Sequence, residues 1–326
     1  MRPAARPSRP IARVKAMAAL AVAIASSGCA LDSATGTSGT WGVGTTTHTI
    51  TPSALTRSYV LHVPARRPTT KAGTVRPYPL VILLHGSSGS GDEIRNTTQM
   101  DVAGEDGRFV VAYPNGVQGA GGLFSTDWNA GMCCGAAARE NVDDVGFIAA
   151  AIADISKNLA IDKTRIYVAG FSDGARMAYH LACQLAPTIA AIGVVSGSLT
   201  DDHCVPTRPV AVIAIHGTSD TQVPYDEAAL TPVPSPPVGL GATLPLSVQF
   251  WLSVNGCGKG VASRPAADVL RASFVACKGA DMEFYTIQGG SHAWPGDTGG
   301  SGSLPPMSEL KATAVITQFF FRQVRR

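Results

Sequence analysis

Apolar and polar residues along this chain follow two rhythms, and they divide it into short strands and amphipathic helices. Arg57 to Val63 alternates as a half-buried strand does and stops at Pro64. Leu80 to Leu84 is instead an unbroken apolar run, as a strand covered on both faces requires. Phe109 to Tyr113 repeats that pattern and ends at the turn signal Pro114-Asn115-Gly116. Further strands are expected at Arg165 to Ala169, Ala191 to Val195, Val210 to Ile215 and Glu283 to Ile287. Helical spacing fills Gly146 to Asn158, Gly174 to Leu185, Leu246 to Val254 and Ser308 to Phe320. Strands alternating with helices predict a single α/β domain, a mostly parallel sheet with helices on both faces. No fixed-period repeat is visible, and the proline-rich Thr231 to Pro237 is expected to be a surface loop.

The sharpest chemical signal is Gly170-Phe171-Ser172-Asp173-Gly174, with an apolar strand running in and a helical stretch running out. That context fits the G-x-S-x-G turn, which lifts a serine hydroxyl above a sheet. A serine alcohol needs a base to take its proton and an acid to orient that base. The strand Val210 to Ile215 leads into His216-Gly217-Thr218-Ser219-Asp220, and the strand through Ile287 leads into Gln288-Gly289-Gly290-Ser291-His292. Asp220 and His292 thus each follow a strand end, in the chain order Ser, Asp, His that this architecture uses. Asp143-Asp144 is the rival acid, but it precedes Ser172 and opens a helix, so capping or loop bracing is expected there. His85 and His216 precede glycines at strand ends and are read as loop braces, while His180 falls within a helix. His48, His62 and His203 have no supporting context.

An oxyanion needs N–H donors. The backbone of Asp173 is one candidate, and Ser87, in the Gly-rich loop after Leu84-His85-Gly86, is the other. That loop lacks the Lys-Ser/Thr ending of a phosphate-binding loop, and no G-x-G-x-x-G occurs, so a nucleotide site is poorly supported. This chemistry needs neither a metal nor a cofactor, and none is expected.

Composition changes the picture mainly at the N-terminus. The formal charge is +3, yet five of the cations, Arg2, Arg6, Arg9, Arg13 and Lys15, precede the apolar stretch Ala16 to Ala25. Without them 21 positive residues face 23 negative ones, which argues against a nucleic-acid binder. Basic residues, a short apolar core and the small residues Ser26 to Gly28 read as a signal peptide over 1–28. Gly28-Cys29 resembles the end of a lipoprotein box, although Ser26 stands where a leucine is usual, so a lipid anchor at Cys29 and free secretion both stay open. Residues 29–48 are read as a flexible tether and 49–326 as the folded domain. The other six cysteines, Cys133, Cys134, Cys183, Cys204, Cys257 and Cys277, suit an oxidising compartment; sequence leaves their fifteen pairings open, with Cys257–Cys277 one candidate for a local staple. Metal binding is a weaker reading, for no C-x-x-C spacing accompanies them.

Taken together, LLHG, Asp127-Trp128-Asn129, Val142 to Phe147, GFSDG, IHGTSD and Gly289 to Gly296 (GGSHAWPG) resemble the PHB-depolymerase/feruloyl-esterase family of secreted α/β-hydrolases. The resemblance runs from about Thr49 to the C-terminus. It implies ester hydrolysis by Ser172, Asp220 and His292, with Ser87 and Asp173 as oxyanion donors. This chain departs from the family in having Ser87 where cysteine is common and Ala175 where a second glycine is common. The implied substrates are hydroxycinnamoyl esters of plant polysaccharide, simple esters, or aliphatic polyesters such as polyhydroxybutyrate. Trp128 and Trp294 lie near the site motifs, either to stack on a substrate ring or to anchor loops. A serine peptidase and a non-catalytic polymer-binding lipoprotein are the more distant alternatives.

Overall fold

The computed structural model describes residues 41–118, 126–226, 244–275, 277–296 and 308–325. The chain enters through β1 (Gly44–Ile50), β2 (Arg57–Val63) and β3 (Tyr78–Leu84), followed by α1 (Gly91–Thr98) and α2 (Met100–Gly107). Next come β4 (Val110–Pro114), the short pair β5 (Val117–Gln118) and β6 (Thr126–Asp127), α3 (Gly135–Arg139) and α4 (Asp144–Asn158). β7 (Ile161–Phe171), α5 (Asp173–Gln184), β8 (Ala191–Val195), β9 (Ala211–Gly217) and α6 (Leu246–Val254) carry the middle of the fold. The chain closes with β10 (Val261–Ala266), β11 (Val269–Phe274), β12 (Met282–Ile287) and α7 (Ala312–Phe320).

Ten strands form one sheet in the order β1-β2-β4-β3-β7-β8-β9-β12-β11-β10. The six central strands, β4 to β12 in that order, are parallel, and antiparallel strands flank them on both sides. Their unbroken apolar runs follow from burial on both faces. In β3, Leu80, Ile82 and Leu84 enter one core with α4, α5 and α6, while Val81 and Leu83 enter a second core with α1, α2 and α7. Period-two alternation thus sends successive residues of one strand to opposite faces.

Where elements differ from the sequence reading, the cause is local. β1 begins at Gly44, so the last five residues of the expected tether, 44–48, are strand, paired from Gly44↔Val63 to Ile50↔Arg57. The β-branched threonines that made this segment look like a linker suit an edge strand equally well. Trp41 packs its ring 4.2 Å from His48, which stacks on Tyr59. α1 and α2 are polar enough to escape the periodicity, but Ser90 caps α1 by accepting the Glu93 N–H at 3.1 Å. In the β10–β11 hairpin β10 has mostly exposed side chains, and the register shifts between Ser263 and Ala266, around Arg264 and Pro265. Residues 1–40 and Thr231 to Pro237 lie outside the described residues.

The six cysteines pair as Cys133–Cys134, Cys183–Cys204 and the expected Cys257–Cys277. The last bridge ties the end of α6 to the segment that enters β12 across 20 residues. Closing a loop of that size restricts the unfolded chain, by about 3 kcal/mol in the chain-entropy account. Replacing both Cys257 and Cys277 by serine should therefore lower unfolding free energy in urea by about 2–4 kcal/mol. A loss below about 0.5 kcal/mol, the size of an ordinary surface substitution, would show that packing alone holds this region.

Candidate active site

β7 delivers Phe171 and Ser172 to the carboxyl edge of the sheet, and Ser172 stands as the N-cap of α5 at φ 55°, ψ −116°. A left-handed φ at a non-glycine residue is strained, and it persists only where the surroundings enforce it. Two close approaches enforce it here. A methyl group on Gly170 would collide with the Gly174 carbonyl, and one on Gly174 would collide with the Leu84 carbonyl at the end of β3. The Ser172 N–H is bonded to Val195 O at 3.0 Å, which anchors the turn to β8. Ala175 is wholly buried and its methyl packs directly against Gly197, so a neighbouring glycine provides the room that the family more often finds at 175 itself.

Three loops meet above this turn. Ser172 Oγ lies 2.8 Å from His292 Nε2, and His292 Nδ1 lies 2.8 Å from Asp220 Oδ2. With Nδ1–H donating to the carboxylate, Nε2 is free to accept from the hydroxyl. Asp220 is itself fixed, its Oδ1 accepting the N–H groups of Gln222 at 3.0 Å and Val223 at 2.9 Å. Burial pushes the Asp220 carboxyl up, but hydrogen bonds from His216, His292 and Val223 N–H outweigh it and hold the group far below the ordinary range. Asp220 is therefore a carboxylate throughout the working pH range. Phe171 tilts its ring against His292 at 4.9 Å and limits its swing.

The loop after β3 comes in from the other side, near enough that a methyl on Gly86 would sit 3.2 Å from Ser172 Cβ. Among the described residues, neither the Ser87 N–H nor the Asp173 N–H is given to a protein acceptor. His85 braces this loop: Nδ1 donates to Gly86 O at 2.7 Å and Nε2 accepts the Gly116 N–H at 2.9 Å. Burial pulls its pKa down to about 4, so it is neutral near pH 7 and that tautomer is fixed. His216 braces the opposite loop through Val223 O at 2.8 Å.

The remaining sequence candidates fall outside this cluster. Asp143 caps α4 and Asp144 is paired with Arg57 at 2.7 Å, so neither acid reaches His292. His180 bonds Asp201 at 2.9 Å, His62 pairs with Glu105 at 3.1 Å, and His203 is exposed. Trp128 is a correction to the stacking alternative: it is 0% exposed, with its indole N–H bonded to His85 O, so its ring has no face for a substrate. Trp294 is nearly buried and bonds Thr313 Oγ1 at 3.1 Å, yet it still lines the cavity over Ser172.

That cavity, about 260 Å³, joins apolar Ile94, Phe171 and Trp294 to polar Glu93, Thr97 and Gln222. The sequence reading missed Ile94, Thr97 and Glu93 because it placed no helix there. The Ser90-x-x-Glu93 start signal was the available clue. As for metals, the six described cysteines are paired in disulfides, and Asp201, which shares a cluster with Asp202 and His203, is already engaged by His180 and Gln184.

Asp173 is 1% exposed, and burial pushes its carboxyl up to about 7, against the pull of the Trp128 N–H and Arg176. The folded chain then holds a proton that the unfolded chain, near 3.8, releases earlier. This contribution to stability is full below pH 4 and is lost as pH rises to about 7. Asp173→Asn should therefore gain stability relative to wild type between pH 5 and pH 8. A gap in denaturation midpoint that stays constant over that interval would exclude Asp173 as the titrating group.

The chain is similar to known esterases in sequence and in fold. A family profile described as Esterase PHB depolymerase matches residues 58–238, more than half of the chain. Feruloyl esterase B of Piromyces equi is 32% identical over 223 residues, 66% of this chain and 39% of that protein, so the chain spans about two fifths of it. Feruloyl esterase C of Emericella nidulans is 28% identical over 254 residues, covering 75% of this chain and 80% of that protein. Among solved structures, the acetyl xylan esterase from Aspergillus awamori superposes with a TM-score of 0.54 at 16% identity, covering 76% of this chain and 94% of that one. At that identity the likeness is one of fold, the α/β-hydrolase fold. By the profile match and the order of its motifs, the chain belongs to the esterase PHB depolymerase family.

Proposed function

We propose that this chain is an exported serine carboxylic-ester hydrolase that acts through an acyl-enzyme on feruloyl-type esters. The observation that carries this reading is the pair of 2.8 Å contacts that link Ser172 to His292 and His292 to Asp220. His292 Nε2 takes the hydroxyl proton as Ser172 Oγ attacks the ester carbonyl carbon. The carbonyl oxygen becomes an oxyanion held by the N–H groups of Ser87 and Asp173. As the intermediate collapses, the C–O bond to the alcohol breaks and His292 returns its proton to the departing oxygen. A water, deprotonated in turn by His292, then attacks the acyl-enzyme, and release of the acid restores Ser172. Asp220 keeps its charge throughout and stabilises the transient imidazolium.

The substrate class rests on the cavity and the relatives together. An aryl-acyl group fits a space of about 260 Å³ with Ile94, Phe171 and Trp294 on its walls, and Glu93, Thr97 and Gln222 offer partners for ring or sugar hydroxyls. Two of the relatives are named as feruloyl esterases. Short-chain polyester such as polyhydroxybutyrate is the second reading, favoured by the family description. Export is supported by the three disulfides, which persist in oxidising compartments, and by the leader pattern of residues 1–28. Attachment at Cys29 belongs to the same proposal, with the catalytic domain beginning by β1 rather than at 49. No helix among the described residues is long and apolar enough to cross a membrane.

The test is hydrolysis of methyl ferulate, p-nitrophenyl butyrate and suspended polyhydroxybutyrate, compared across variants. Ser172→Ala should lower kcat by at least about 10⁴-fold, and Asp220→Asn by about 10³- to 10⁴-fold with KM little changed. Methyl ferulate should be the best of the three for wild type, and preference for the polymer would favour the polyester reading. Wild-type rates in Ser172→Ala would overturn the mechanism.

A further inference from the structure

The two proposed oxyanion donors lie on segments far apart in the chain: Ser87 follows β3, and Asp173 opens α5. One residue bonds to both segments. The backbone N–H of Trp128 donates to Asp173 Oδ2 at 2.9 Å, and its indole Nε1–H donates to the His85 carbonyl at 2.9 Å; both bonds are buried. From His85 the brace continues through Nδ1–H to Gly86 O at 2.7 Å. That carbonyl and the Ser87 N–H belong to the same planar peptide unit, so fixing the direction of one fixes the other. The His85 and Trp128 rings also lie 4.9 Å apart, which leaves the imidazole little freedom to turn.

The segment that carries Trp128 is held as firmly as the parts it joins. Asn129 N–H is bonded to Asp144 Oδ2 at 2.8 Å, and Asp144 is anchored by Arg57 at 2.7 Å. Cys134 N–H returns to the Trp128 carbonyl at 2.9 Å. Asp127, one residue earlier, accepts the Ala136 N–H. Such attention to a tryptophan that has no face toward the cavity exceeds what filling a core needs. Trp251, equally buried in the same core, has an indole N–H with no acceptor among the described residues.

We propose that Trp128 is a positioning residue for ester hydrolysis, a cross-brace whose two N–H groups hold the Ser87 and Asp173 oxyanion donors at one fixed separation. The inference rests on the serine-esterase reading of Ser172. A donor pair set for the tetrahedral oxyanion acts on the transition state and not on the bound ester, so loosening it lowers kcat and leaves KM. The brace works through His85 and Asp173 and touches no reacting atom.

The experiment compares Trp128→Phe with Trp251→Phe on p-nitrophenyl butyrate, and titrates both with an alkyl boronic acid, which forms a tetrahedral adduct on a nucleophilic serine. Trp128→Phe should lose about 10- to 100-fold in kcat with KM within about twofold, and bind the boronic acid more weakly by the same factor. Trp251→Phe should lose thermal stability while keeping kcat and boronic-acid affinity. Replacing Trp128 by benzothienylalanine, which keeps the bicyclic shape and lacks the N–H, should reproduce the kcat loss, and it serves should the phenylalanine variant fail to fold. Unchanged kcat in the benzothienylalanine protein, or equal kcat losses in Trp128→Phe and Trp251→Phe, would overturn the brace. Failure of the underlying reading looks different: wild type would then ignore the boronic acid and Ser172→Ala would keep its rate.

Discussion

The candidate active edge depends on one close approach: the end of β3 lies directly against the turn that carries Ser172. Gly174 faces the Leu84 carbonyl with no room for a side chain, and Gly170 faces the Gly174 carbonyl in the same way. Bringing those backbones together places the loop of Ser87 beside Ser172, and it also forces the left-handed backbone at Ser172. The strain at that residue, of order 1–3 kcal/mol, is sustained by a parallel sheet buried on both faces. Both hydrophobic cores therefore serve the same few atoms.

The order of polar groups around the site follows the same logic of fixed geometry. Asp220 spends one oxygen on two backbone N–H groups and turns the other to His292 and His216, so it is ionised and held in place. His85 is neutral because it is buried, and its two nitrogens are committed to a carbonyl and an N–H. Asp173, one residue from the nucleophile, keeps its carboxyl raised because burial exceeds the help of its partners. Beside the Ser172–His292 pair, the firmly ionised carboxylate is thus that of Asp220, while burial lowers the charge of His85 and Asp173.

Much of this was legible in the residues. Arg57 to Val63, Ala191 to Val195 and Leu246 to Val254 match β2, β8 and α6 residue for residue, because their apolar pattern is set by burial. The Ser172, Asp220 and His292 cluster was legible because Ser172 directly follows β7 while Asp220 and His292 lie on the loops that leave β9 and β12, and parallel strands deliver their ends to one edge. What escaped was set by tertiary pairing. β1 takes its identity from register with β2, not from its own composition. Trp128 sits beside site motifs and reads as an aromatic for a ligand, and only the fold shows both of its N–H groups turned inward.

The strand order carries a consequence for how the molecule comes into being. Ser172 and His292 meet across 120 residues of chain, and the strand that leads to His292, β12, inserts between β9 and the late hairpin. Parallel pairing of this kind is non-local, and non-local contacts are slow to form. A partly assembled sheet thus has Ser172 without His292 beside it. On the mechanism proposed above, hydrolytic power would arrive only with the final parallel strand, and an unfinished chain would be chemically silent.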